Sequence, residues 1–392
     1  MKKPTIAVIF GSRSTEHDIS ILTAIAAVIR PLELSQKYDV VPVYIAKDGR
    51  WYSAPELKDV HLYQSGGLDA FLAKQKSLAL LFDNGLQLVK GTGFSRQVIK
   101  IDVAFPATHG THGEDGELMG VLEMANVAYV GCDVPSSAVA MDKVLAKTVA
   151  AAAAIPITSF YAFSKREYEA EPSKHLKAIA ATLHFPLFVK PARLGSSIGI
   201  SRVQNKQELE NAIEVALHYD DKALVEEAVQ NLIEVTLPVM GNEELTPALL
   251  EQPLLKSEDF FDFDTKYMQG GKGKGGKGGG KAGKQGAQGY SRIPAELPDG
   301  LYEKAQTIGL ETYRALGCSG TARIDMLIDE KTKAIYFNEV NPLPGSLYAH
   351  NWRLAGISNV ELVSKLIELA KQRHEAKQRL STIFDTSFLK QF

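Results

Sequence analysis

The 392-residue chain has only two cysteines, Cys132 and Cys318. They lie far apart in sequence and without metal-ligand spacing, which favours two buried or semi-buried thiols over a disulfide framework or zinc site. A reducing compartment, the cytoplasm, is expected. Long hydrophobic runs are also missing. The longest, Val149 to Ile157, contains Pro156 and is too short to span a bilayer. At the N-terminus two lysines precede a short apolar stretch that runs directly into Gly11, Ser12 and Arg13, so neither a signal peptide nor membrane insertion is expected. Excess charge of one sign is absent as well. At a net charge of −2 nothing draws the whole chain to nucleic acid or anionic lipid, and any anion site must be local.

The chain does have length enough for two or three lobes around a shared cleft. Thr5 to Phe10 reads as a buried strand, followed by a polar loop and a helix over Ile19 to Ile29. Val40 to Ile45 and Val103 to Ala107 are further strands, which together predict a mostly parallel α/β unit. An alanine-rich helix is expected from Val139 to Ala154, ended by Pro156. Phe188 to Lys190 and Gly199 to Val203 bracket a Gly-Ser loop as a hairpin. Strands at Leu224 to Glu227, Val235 to Met240, Arg323 to Ile328 and Ile335 to Val340 make the later part α+β, and a helix over Asn359 to Lys371 closes it, with charged, helix-compatible sequence beyond. Gly270 to Gly289 holds only Gly, Lys, Ala and Gln, including 11 glycines and 5 lysines, and cannot contribute to a core.

Several segments carry chemistry. Lys190-Pro-Ala-Arg-Leu-Gly-Ser-Ser-Ile-Gly199 sets a lysine at a strand end before glycines and hydroxyls that let backbone N–H groups approach phosphate. It is neither a Walker A loop nor GxGxxG, and read alone it fits an ordinary hairpin turn as well as a phosphate cradle. Arg323 and Asp325 share one face of a strand, as do Glu339 and Asn341 on the next. If those strands pair, two carboxylates and an amide oxygen converge, a donor set suited to Mg²⁺. A structural ion-pair network is the alternative, and the Pro342-Leu-Pro-Gly345 turn that follows favours the metal. Leu224 to Glu227 with Glu234 fits the edge of a nucleotide pocket, although a solvated acidic edge explains it more simply. Gly11 to Ser20 opens a helix whose N-terminus favours anions; capping accounts for Ser14 or Thr15 but not for Glu16 and His17 together. His109 to Gly116 looks like a metal loop, yet its histidine spacing matches no zinc pattern, and it reads as a substrate-side loop.

Taken in order, these segments resemble the D-alanine–D-alanine ligase family of the ATP-grasp superfamily, from about Ile6 to Ala370. The resemblance rests on the ordered set Gly-x-x-Ser-x-Glu-His-x-x-Ser, His-Gly-x-x-Gly-Glu-Asp-Gly, Met141-Asp-Lys143, the Lys190 loop, Arg-x-Asp and Glu-x-Asn-x-x-Pro-Gly. It implies an ATP-grasp fold behind an N-terminal Rossmann-like domain, divided as 1–131, a central lobe 132–223, a C-terminal lobe 224–375 with a mobile lid loop 257–293, and a tail 376–392. It also implies an ATP-dependent ligase that makes D-alanyl-D-alanine through an acyl phosphate, as a peptidoglycan precursor that supports cell shape.

By the same resemblance, Lys143, Lys190 and Lys266 would hold ATP phosphates. Glu226, Glu227, Ala228, Val229, Glu234 and Asn338 would line the rest of the nucleotide site. Asp325, Glu339 and Asn341 would hold two Mg²⁺ ions, with Mn²⁺ as a substitute. Glu16 would fix the first ammonium, linked to Ser196 and Tyr267, with His109 near the carboxylate; Arg323 and the Gly345 N–H would stabilise the oxyanion. A homodimer acting on D-alanine and ATP, with no nucleic-acid or membrane partner, follows.

Two segments depart from the family pattern. In place of a serine-leucine pair several residues after Gly345, Ser346 or His350 would receive the acceptor carboxylate. The lid carries the Gly-Lys insert at 270–289, either a tolerated insertion or a device that draws in polyanions. Tyr267, where relatives that make D-alanyl-D-lactate have histidine, favours an amine acceptor. Other readings are a ligase for D-lactate, D-serine or another amino acid, and a nucleotide-binding protein without catalysis.

Overall fold

The computed structural model describes residues 2–254, 291–298, 300–383 and 385–391. Most of the lid loop, with the whole Gly-Lys insert, and the candidate residues Lys266 and Tyr267 lie outside the described residues.

The first sheet runs in the order Trp51–Tyr52, Asp39–Ile45, Thr5–Gly11, Val103–Pro106 and Ala128–Tyr129. Every pairing is parallel except that of the short edge strand Trp51–Tyr52. Its central strand is buried along its whole length, as a β-branched run covered on both faces must be. The parallel α/β unit expected from the sequence is thus present.

The helix after the first strand is longer than expected. It runs as α-helix His17–Leu22, wide π-wound turns Thr23–Ile29 and α-helix Arg30–Ser35. Pro31 lacks the N–H that would bond the carbonyl of Ala27, and the widened turns lie just before it. A separate antiparallel sheet of Leu78–Phe82, Leu86–Lys90 and Gln97–Lys100 was not foreseen.

Two antiparallel sheets follow. One is ordered Ser201–Val203, Leu187–Pro191, Lys222–Glu227, Phe160–Ser164. The other is Leu245–Pro247, Leu232–Gly241, Gly320–Asp329, Ile335–Asn341. The hairpin around the Gly-Ser loop is as expected, and each sheet has its own apolar core.

The single helix expected over Val139 to Ala154 is two, Val134–Met141 and Lys143–Ala152. Asp142 breaks it. Its backbone is extended, and its Oδ1 accepts the N–H groups of Val144 (3.0 Å) and Leu145 (3.1 Å), a cap that competes with helix continuation. The closing helix Asn359–Gln378 continues past Lys371 and packs its apolar face into the core of the first sheet. Among the described residues no helix is long and apolar enough to cross a membrane.

Candidate active site

A cavity of roughly 430 Å³ lies where loops from the first sheet meet the third. Glu16 reaches it from the loop after the first strand, and His109 from the loop after Val103–Pro106. Loops at the carboxyl ends of parallel strands are where such units place their chemistry.

Glu16 is buried and its carboxylate accepts a hydrogen bond from the Ser196 hydroxyl, so the loop of the first unit and the Gly-Ser loop of the second sheet touch directly. Ser196 has a left-handed backbone (φ 55°), unusual for a residue with a side chain, and aims its hydroxyl at that contact. Gly110 flanks the same carboxylate with φ +69°. A Cβ there would come within 2.5 Å of Ser14 Oγ and 2.9 Å of Glu16 Oε2.

His109 is buried, and its Nε2 meets the Thr23 hydroxyl at 2.8 Å. The same hydroxyl oxygen accepts the Ser346 N–H at 2.9 Å, so Thr23, at the head of the π-wound turns, ties His109 to the segment after Gly345. Burial lowers the His109 pKa to about 4 and keeps the ring neutral at neutral pH, outweighing a hydrogen bond that the ring donates to the Leu343 backbone. Beside it, Glu114 accepts the Gly110 N–H at 2.9 Å. Burial, reinforced by the charge of Glu16, pushes its carboxyl well above the ordinary range.

The third sheet supplies the charged wall. Asp325 lies opposite Glu339 in the antiparallel register, and Arg323 opposite Asn341. The pairing on which the sequence argument depended therefore exists. Arg323 grips Asp325 with two hydrogen bonds, of 2.7 and 2.5 Å, and the Asn341 amide donates to Asp325 at 3.1 Å. Burial alone would lower the Arg323 pKa, but Asp325 and its neighbours hold it well above its usual value, so the guanidinium stays charged. These carboxylate and amide oxygens are the hard donors that Mg²⁺ takes.

Lys143 begins its helix directly after the Asp142 cap. Its Nζ donates to the Leu194 carbonyl at 2.8 Å and lies 3.6 Å from Glu339. Next to it the Glu226 carboxylate is sandwiched by Lys190 on one oxygen and Lys147, at 2.9 Å, on the other. Burial would raise the Glu226 carboxyl, but the two ammonium groups hold it well below the usual range. Lys190 also donates to Asn338 Oδ1 at 3.3 Å, and Glu234 adds negative charge nearby.

Glu227 turns its side chain away from this group and binds the His184 N–H and ring nitrogen, each at 2.8 Å. Ala228 donates its N–H to the Pro186 carbonyl at 3.0 Å, with Val229 half-buried beside it. Gly345, Ser346 and His350 all border the cavity. His112, Asp115 and Glu117 gather at the rim of their loop, but His112 pairs with Glu117, and Asp115 accepts both of their backbone N–H groups.

The sequence reading missed several participants. Lys147 is fully buried one helical turn after Lys143, so the i, i+4 spacing was a signal available to find it. Glu114 sits inside the His109 to Gly116 motif without having been singled out, whereas Thr23, Tyr348 and Glu251 carried no signal, because only the fold brings them to the cavity.

The comparisons with known proteins fit this geometry. Residues 5–132 match the family model described as D-ala D-ala ligase N-terminus, and residues 149–368 the one described as D-ala D-ala ligase C-terminus. The chain is 35% identical to the D-alanine–D-alanine ligase of Chloroherpeton thalassium over 399 residues, covering 96% of this chain and 99% of that one. Among solved structures it is similar to the D-alanine-D-alanine ligase from Coxiella burnetii (TM-score 0.77, 27% identity, 97% of each chain covered). It is also similar to the VanG D-Ala:D-Ser ligase from Enterococcus faecalis (TM-score 0.74, 32% identity, 94% of this chain and 100% of that chain).

Proposed function

The chain belongs to the D-alanine–D-alanine ligase family, with its ATP-grasp fold, and on that premise we propose that it joins two D-alanines at the expense of ATP. The observation that carries this reading is the Glu16–Ser196 contact over a cavity walled by Arg323, Glu339 and Asn341. On this reading Glu16 anchors an ammonium, Arg323 donates to an oxyanion, and Glu339 and Asn341 offer oxygens to a metal around one space.

In the proposed reaction the first D-alanine is held by its ammonium on Glu16, with His109 near its carboxylate. A carboxylate oxygen attacks the γ-phosphorus of ATP. The new P–O bond forms as the bond to the bridging oxygen breaks, and ADP leaves with that electron pair. The amine of the second D-alanine, having lost its extra proton, attacks the acyl carbon, and phosphate departs. Arg323 and the Gly345 N–H face the oxyanion of the tetrahedral intermediate, where preorganised donors act most strongly.

Lys143 and Lys190, with Lys266, hold the phosphates, and Glu226 to Val229, Glu234 and Asn338 line the nucleotide site. Asp325, Glu339 and Asn341 would hold Mg²⁺, which when bound neutralises charge on the phosphates. Tyr267 completes the Glu16 and Ser196 group, and the loop that carries it keeps water from the acyl phosphate. The chain divides at 131/132 and 223/224 and acts as a cytoplasmic homodimer in peptidoglycan precursor synthesis.

A phosphate-release assay across D- and L-amino acids tests the reading. ATP turnover is expected with D-alanine alone, and D-alanyl-D-alanine as product. Absence of D-alanine-dependent turnover overturns it. A second acceptor, D-serine, is favoured by the likeness to a D-Ala:D-Ser ligase. A mixed product when D-serine is offered with D-alanine would establish it.

A further inference from the structure

Resting on the ligase reading, the second amino acid needs a polar partner for its carboxylate. Its amine must approach the same acyl carbon that Arg323 and Gly345 face. Arg323 gives its Nε and one terminal nitrogen to Asp325, and its remaining donors serve the oxyanion in the proposed reaction. The Ser346 N–H is committed to Thr23. His350 is placed differently. Its ring borders the cavity, its Nε2 lies 2.9 Å from Glu251 Oε2, and among the described residues no hydrogen bond engages its Nδ1.

We propose that Glu251 is a positioning residue for acceptor selection, holding the His350 ring in the orientation that receives the carboxylate of the second amino acid. Glu251 is itself locked in place. It is 6% exposed, its backbone bonds Thr236 in both directions (2.9 and 3.0 Å), and Asn351 Nδ2 reaches its Oε2 at 3.4 Å. Asn351 is fixed in turn, accepting from the Leu249 N–H at 3.1 Å and donating to the Leu249 carbonyl at 2.9 Å. The carboxylate therefore cannot swing away from His350.

On the other side of the ring stands Tyr348, with centroids 4.7 Å apart. Tyr348 also carries Arg323 over its face, 5.1 Å from its centroid. Burial would raise the Glu251 carboxyl, but the hydrogen bond and charge of His350, with Ser291 and Asn351, hold it below the ordinary range. The Glu251 carboxylate fixes Nε2, which leaves Nδ1 as the ring atom available to the acceptor. Glu251 acts through His350 and does not touch the substrate.

The test is a kinetic split in the full-length enzyme, at D-alanine concentrations that saturate the donor site, with D-alanine and D-alaninamide compared as acceptors. Glu251→Gln and His350→Gln are each expected to raise the acceptor KM for D-alanine about tenfold or more, the lower end of what a charge-assisted hydrogen bond supplies. Donor KM and kcat should change little, and the preference for D-alanine over the amide should shrink. Glu251→Asp, which keeps the charge, should recover part of the loss. Unchanged acceptor preference in both Gln variants overturns the assignment, and so does a loss confined to kcat. If Glu251→Gln fails to fold, His350→Gln alone decides. A wild-type enzyme that does not consume ATP with D-alanine overturns the ligase reading instead, so the two failures are distinct.

Discussion

Glu16 and Ser196 come from segments 180 residues apart, and their hydrogen bond closes the donor side of the cavity. Ser196→Ala removes one hydroxyl from a strained backbone and leaves the charge of Glu16 facing the cavity. Hydrogen bonds to charged groups contribute about 1.5–3 kcal/mol. A fall of about ten- to a hundredfold in kcat/KM for D-alanine is expected, together with a lowered thermal midpoint, from steady-state kinetics and calorimetry. His109 gives a prediction of a different kind. Its folded pKa, near 4, lies below its unfolded value, so the unfolded chain binds the extra proton between those values. The stability it contributes is present above about pH 6.5 and is lost as pH falls toward 4, by about 3 kcal/mol at most. Urea titrations from pH 8 to 4 should show this loss, and His109→Gln should flatten it over that window. Individual residues were legible in the sequence where a short motif named them, as with Glu16, Lys190, Arg323 and Asp325. Glu251 and Thr23 were not, since each matters through a partner roughly a hundred residues away or more.

Elements explain why some local readings held and others failed. The strands carrying Asp325 and Glu339 were legible from alternation and apolar context, but the bulge that shifts their register between Asp325 and Met326 and leaves Asn338 unopposed was not. Asp142 was read as part of a continuous helix because the alanines around it have high propensity. Its side chain does better capping a new helix, and Lys222, 2.6 Å from its Oδ2, holds it there. That break turns Lys143 toward the Leu194 carbonyl and Glu339. Asp142→Ala should therefore lower stability by about 1–2 kcal/mol and raise the KM for ATP severalfold, whereas Asp142→Asn, which keeps the cap, should recover most of the stability. Denaturant midpoints and ATP titrations separate the two effects. The unforeseen sheet at residues 78–100 did carry a signal. Asn84 and Gly85 both have positive φ between its first two strands, the backbone demand that makes Asn-Gly a hairpin marker. The exposed faces of those strands hid the alternation that would have drawn attention to it.

For the whole molecule, the reacting space exists only if the first sheet and the third keep their relative position, because Glu16 and His109 come from one and Arg323 and Glu339 from the other. Two features meet at that join, a close backbone approach and an arginine. Gly320, at φ +71°, opens the strand that carries Arg323, and a Cβ there would lie 3.1–3.2 Å from the backbone of Gly131. The closing helix, packed on the first sheet, contributes Arg373. Its guanidinium donates to the carbonyls of Gly131 and Tyr129 (2.9 Å for the latter) and to the Ser319 hydroxyl at 2.5 Å, and it lies 4.5 Å from the centroid of the Tyr129 ring. One planar fork thus ties the end of the first sheet to the start of the strand bearing Arg323 and Asp325. A lysine has one point of charge and no fork, so it cannot make the same three hydrogen bonds. Arg373→Ala should cost about 3 kcal/mol of stability, and Arg373→Lys nearly as much. If the join also sets the geometry of the cavity, both variants should raise the KM for donor D-alanine at temperatures well below their unfolding midpoints. A lowered midpoint with unaltered KM would limit Arg373 to holding the units together, and unaltered values of both would remove it from the join.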